Sequence, residues 1–223
     1  MRNVSTLFLI ILLPLFLSAC GGGPKVPDWK KDSVNLIENY KKAELRGEVK
    51  RAERYFEQAL AAAGSAGKPN ENARLHLVRC ATRQASLDFE PCTGYLDLAK
   101  FGISEENETY YRFLTNQWDK LDSGKLPAQY RDFIKISDSA KSLTALQAIS
   151  DPLSRLIAAS LLTARKQADD ATLNLAAETA SEQGWRKPLL VYLKLMENRA
   201  TVKNDKLEAE KLRARIKLVE ESL

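Results

Sequence analysis

Residues 47–60 read GEVKRAERYFEQAL. Ala52, Phe56, Ala59 and Leu60 fall at helical intervals on one face, while Lys50, Arg51, Glu53, Arg54 and Glu57 fill the other. Gly47 interrupts the chain just before this segment, and the run Gly64-Ser65-Ala66-Gly67 closes it. The stretch therefore predicts a helix over 48–63, paired across a tight turn with the segment before it.

The same period extends in both directions. Strand-like alternation never persists, and apolar residues recur three and four apart. Helices are predicted over about 29–46, with Asp28 as N-cap and Leu36, Tyr40 and Ala43 on one face, and over 70–86. A short helix after Pro91 carries Tyr95, Leu96, Leu98 and Ala99 and ends near Gly102. Ser104 caps the next, an imperfect capping box with Asn107 in place of Glu or Gln, and Tyr111, Leu114, Trp118 and Leu121 are expected along it. Further helices are predicted over 127–137, 138–149, 152–167, 170–183, 187–200 and 205–222, with Asp151 and Pro152 at cap and first position. Residues 187–200 are apolar on most sides and should be buried between neighbours, whereas the last helix is charge-rich and suits the end of a stack. The predicted fold class is all-α: stacked antiparallel helical hairpins, as a solenoid or a compact array.

Composition agrees. Hydrophobic residues at 44% and charged residues at 28% are those of a globular chain, and Gly 10 with Pro 8 is too few for an all-β fold rich in tight turns. The net charge of +5 has both signs interleaved rather than gathered on a stripe, which argues against a nucleic-acid partner.

The first residues read MRNVSTLFLIILLPLFLSAC. Arg2 precedes an apolar run from Leu7 to Leu17 that is too short to span a bilayer comfortably, and Ser18 and Ala19 are small. Leu17-Ser18-Ala19-Cys20 resembles the lipobox of bacterial lipoproteins. The resemblance implies a signal peptide over 1–19 and a mature chain of about 204 residues that starts at a lipidated Cys20, carrying diacylglycerol and an N-acyl group such as palmitate. Two or three acyl chains, each buried CH₂ contributing roughly 0.8 kcal/mol, would anchor it stably. Gly21 stands where the inner-membrane retention signal of enteric bacteria has aspartate, so the resemblance favours the outer membrane, facing the periplasm, over the inner one. Residues 20–27 form a tether and 28–223 the helical domain.

The 47–60 segment resembles the second half of a tetratricopeptide repeat: Gly47 at the hairpin turn, then Ala52, Phe56, Ala59 and Leu60 at the family's spacing, with Tyr40 and Ala43 at matching sites of the first helix. Ala177, Ala180 and Gly184 give a weaker echo, in which Leu189 and Leu193 replace the expected alanine and aromatic. The resemblance implies a scaffold that binds another envelope protein or peptide.

In a periplasmic chain Cys80 and Cys92 are positioned for a disulfide, since each lies six residues from a turn near Ser86 and antiparallel helices on either side of it would bring them level. Two buried free thiols are the other reading. Little else suggests chemistry. His76 is the single histidine, and a helix-surface role suits it better than catalysis. There is no Cys-x-x-Cys pair, P-loop or Gly-x-Gly-x-x-Gly, so neither metal nor cofactor is expected, and the pairs Glu105-Glu106 and Asp169-Asp170 sit at predicted helix starts. A scaffold without enzymatic activity is therefore expected. The alternative is an envelope enzyme or ligand-binding protein acting on peptidoglycan or lipid.

Overall fold

The computed structural model describes residues 26–135 and 139–222. The expected signal peptide, the lipobox-like residues with Cys20 and most of the expected tether lie outside the described residues. Among these there is no strand, and no helix is long and apolar enough to cross a membrane. Ten α-helices follow in order: α1 Asp28–Leu45, α2 Val49–Gly64, α3 Pro69–Gln84, α4 Thr93–Ala99, α5 Glu105–Leu114, α6 Ser139–Ala148, α7 Pro152–Ala164, α8 Asp170–Glu182, α9 Arg186–Val202 and α10 Lys206–Glu220. Most pack against the next in antiparallel fashion, and the expected all-α array of hairpins is what the chain adopts.

The opening hairpin is built as its sequence spacing predicts. Gly47 takes a φ of +80° in the turn, a region that glycine enters without steric cost. Ala52 and Ala59 are fully buried and let α1 and α2 approach closely, while Phe56 packs its ring 5.4 Å from Tyr40 of α1 and 5.3 Å from His76 of α3. These residues, with Ile37, Ala43, Ala63 and Leu75, form a small N-terminal core. A larger core runs from α3 through α5 and α7 to α9 and α10, including Leu77, Phe113, Leu156, Leu161, Leu173, Tyr192 and Leu212. As expected, α9 is buried on several sides: Leu189, Tyr192, Leu193 and Met196 are covered, and it touches α8, α10 and α1.

Three local expectations are corrected. Asp28 is not the N-cap of α1; Pro27 occupies that position and Asp28 lies in the first turn, 3.7 Å from Lys31. The helix after Ser104 stops at Leu114 and does not reach Trp118 or Leu121. Asn116 takes a φ of +58°, Gln117 N–H donates to Arg112 O, and Trp118 turns back so that its Nε1–H donates to Phe113 O at 2.8 Å. Left-handed asparagine is a common helix stop. In place of the helix predicted over 127–137, the chain makes short 3₁₀ turns at Ala128–Tyr130 and Phe133–Lys135, because Tyr130 and Phe133 are drawn into an aromatic cluster with Phe113 and Trp118. Ser137 lies outside the described residues.

The array folds back on itself. Helix α1 touches α9, and α3 touches α7, so the compact form applies. The contact between α1 and α9 is an ion pair: Lys187 donates to the buried carboxylate of Glu44, and beside it Arg186 donates to Arg46 O at 3.2 Å and to Ser222 O at 2.6 Å. Replacing Lys187 with Met would strand that carboxylate. Because Lys187 keeps 26% of its side chain exposed, the expected loss is about 1–3 kcal/mol, below that of a fully buried pair. Thermal unfolding by circular dichroism measures it, and an unchanged Tm would show that the pair contributes nothing.

Candidate functional site

The features that could carry function converge on α3, α4 and α5. Helix α3 ends at Gln84, and Leu87 takes a φ of +56° as the chain reverses. The connection is tied down by Arg83, which donates to Asp88 at 2.8 and 2.9 Å and pairs with Glu90 at 2.8 Å. It brings Cys92 back to Cys80, and the two are paired at disulfide distance with Cα atoms 5.8 Å apart, inside the range a bridge requires. Cys92 is the residue that precedes α4 rather than one within a helix, so the partners meet through the loop and not by alignment of two helices.

Beyond the bridge, Gly94 lies directly against the imidazole of His76, where any Cβ would overlap the ring. His76, Arg79, Cys80, Arg83, Cys92 and Asp97 border a cleft of about 260 Å³. Burial, and then the neighbouring Arg79 guanidinium, holds the His76 imidazole below its ordinary pKa, with Asp97 opposing weakly. The histidine is therefore neutral at pH 7. Arg79 is held by Glu53 in a two-pronged pair at 2.9 and 2.8 Å and lies 4.5 Å from the centre of the Phe56 ring. Both guanidinium groups in the cleft are thus already satisfied by carboxylates, and the cleft is organised to hold α4 on α3.

A second, wider groove lies between α4 and α5, about 600 Å³ in volume. Tyr95 and Tyr111 stack with centroids 4.6 Å apart, Leu96, Ala99 and Ile103 extend the apolar surface, and Glu108, Arg112 and Gln117 border it. Leu96 is 45% exposed. The start of α5 is fastened to the start of α3: Ser104 N–H donates to Asn70 Oδ1 at 2.7 Å and Asn107 Nδ2 donates to Asn70 O at 3.0 Å. Asn107 stands where a capping box would have Glu because its side chain is used between helices. Ser104 still caps, accepting from Asn107 N–H.

Of the residues singled out from sequence, Cys80, Cys92 and His76 meet in one place, and Cys20 lies outside the described residues. Asp169 caps α8 by accepting from Thr172 N–H, while Asp170 also pairs with Arg199 of α9 at 3.3 Å. Among the described residues no group of three or more His, Cys, Asp or Glu is placed to hold a metal ion. The α4–α5 groove was not anticipated; its signal is the short run Tyr95-Leu96, whose second residue breaks the core-facing pattern of its helix. The chain matches no protein-family model, no curated protein and no solved structure.

Two outcomes test this geometry. Gly94→Ala should destabilise the protein by roughly 1–3 kcal/mol through overpacking, and His76→Ala in the same chain should recover most of that loss, as read by urea denaturation; equal losses with and without the histidine would remove the contact from the account. The Cys80→Ser, Cys92→Ser pair should lose about 3 kcal/mol, since the bridge joins residues 12 apart in sequence and closes that loop in the unfolded chain. Reduction of the native protein should lower its Tm to that of the double variant, which reduction leaves unaffected.

Proposed function

We propose that the chain is a lipid-anchored lipoprotein of the bacterial envelope, attached through Cys20 at the outer membrane and facing the periplasm, and that it serves as a protein-binding scaffold without catalytic activity. The observation that carries this reading is the α4–α5 groove. Its stacked tyrosines and partly exposed leucine and isoleucine, bordered by Glu108, Arg112 and Gln117, have the apolar centre and polar rim of a protein interface. The partner is another envelope protein or a peptide segment of one. The lipobox residues 17–20 support the address, and the burial of Tyr40, Ala43, Ala52, Phe56 and Ala59 supports the tetratricopeptide-like reading of the first hairpin.

An envelope enzyme or ligand carrier acting on peptidoglycan or lipid would call for a pocket with several unengaged polar groups aimed at one point. In the cleft beside His76 the two arginines are engaged by Glu53, Asp88 and Glu90, which favours the scaffold.

The test is photocrosslinking in the native envelope, with the crosslinker at Leu96 or, for comparison, at the exposed Leu218 of α10. A single partner captured from Leu96, absent from Leu218 and reduced by Cys20→Ala, is the expected result. Equal background from both positions in a correctly localised protein would refute the groove.

A further inference from the structure

Three helices begin at the same end of the molecule. The first turn of α1 meets the α2–α3 connection where Lys68 Nζ lies 5.6 Å from the centre of the Trp29 ring. The first turn of α3 is bonded to that of α5 through Asn70, Ser104 and Asn107. Helix α4 runs back along α3 from the Cys80–Cys92 pair and delivers Lys100 and Phe101 to this end, three residues before Ser104; Lys100 Nζ sits 5.5 Å from the Phe101 ring centre. Val26, the first described residue, is here as well, so the chain outside the structure departs from this end.

The surface chemistry is particular. Phe101 is 63% and Val26 49% exposed, Trp29 is half-buried beneath its lysine, and Lys30, Lys68 and Lys100 have no carboxylate within ion-pair distance among the described residues. Acidic residues are present too. Asp28 pairs with Lys31, Glu71 with Arg74 and Glu105 with Lys125, leaving Asp32 and Glu106 exposed. Net attraction to anionic headgroups is therefore small, and the aromatic and aliphatic side chains decide the contact. Tryptophan and lysine together, with an apolar body and a polar tip, suit the headgroup level of a bilayer.

We propose that this end, with Val26, Trp29 and Phe101 among Lys30, Lys68 and Lys100, is a membrane-docking face that rests in the phospholipid interface and sets the orientation of the anchored protein. The inference rests on lipidation at Cys20. From there to Val26 the chain reaches at most roughly 25 Å, so the face is confined near the bilayer at an effective concentration in the millimolar range, and an interfacial contact too weak to recruit a free protein is sufficient.

The experiment uses the full-length lipidated protein reconstituted in vesicles of phosphatidylethanolamine and phosphatidylglycerol, with brominated acyl chains as the quencher of tryptophan fluorescence. The expected result is clear quenching of the native protein, its loss in Trp29→Phe and a several-fold reduction in Phe101→Ser, with the Tm of both variants preserved. Native protein and Trp29→Phe quenched alike, or Phe101→Ser quenched as the native protein is, would overturn the docking face while leaving the anchor in place. Mass spectrometry of the same sample separates the two questions: a mature chain without diacylglycerol on Cys20 removes the anchor, and the docking face with it.

Discussion

Helix α3 has to satisfy three environments around one circumference, and the arrangement of everything else follows from that. Ala73, Leu77, Ala81 and Ala85 form a four-residue stripe facing the large core. Leu75 and Val78 face the small core of α1 and α2. His76, Arg79, Cys80 and Arg83 fill the remaining arc and look onto α4. At 100° per residue these three sets divide the helix almost completely. Small residues are required on the first stripe, since Ala73 and Ala85 are wholly buried where α5 and α7 approach. A larger side chain there would push α5 and α7 away from α3.

The third arc explains how so short an element as α4 is ordered. Seven residues are far too few for a stable isolated helix. It is held at its start by Cys92 on Cys80, along its length by Gly94 against His76, and on its other side by Tyr95 on Tyr111 of α5. The salt links from Arg83 to Asp88 and Glu90 order the connection that precedes it. The cleft and the groove are thus two sides of one clamped helix. The first is filled with groups that satisfy one another, and the second presents apolar surface outward.

How much of this could be read from residues alone depended on whether a helix has one buried face or several. The α1–α2 hairpin was legible because its signals are local: a glycine in a left-handed turn and small or aromatic residues at fixed spacing. Helix α7 was placed by its cap Asp151, which accepts from Ser154 as its position predicts, and α8 by the acidic pair at its start, of which Asp169 proves to be the cap, accepting from Thr172. The 115–135 region was not, because Leu114, Trp118 and Leu121 keep a helical spacing that the fold uses differently. Asn116 ends the helix, and Trp118 gains more by stacking on Phe113, with its centroid 5.7 Å away and Arg165 over its other side at 4.3 Å, than by continuing the spiral. The asparagine was the readable clue. The cysteine pairing was legible from turn spacing, although its geometry runs through a loop. The groove was not, since its floor joins Tyr95 and Tyr111 from two helices, and nothing local relates them.

The closing of the array bears on where a partner can bind. An open stack of hairpins would offer its concave side, lined by the first helix of each pair. Here α9 comes round to α1, and the Glu44–Lys187 pair seals the meeting point. The helices that would line a long channel are packed on one another, and the outward flank of α4 and α5 is one place where apolar side chains line a groove open to solvent. That flank runs toward the end carrying Val26, Trp29 and Phe101. A chain resting on a bilayer by that end would hold the groove upright beside the membrane, open sideways to the periplasm. A partner entering it would lie along the membrane normal, with the disulfide-clamped end of α4 farthest from the lipid. On the proposed scaffold reading, α4 is ordered in advance, so a partner would meet a formed surface and would not bear the cost of folding seven residues.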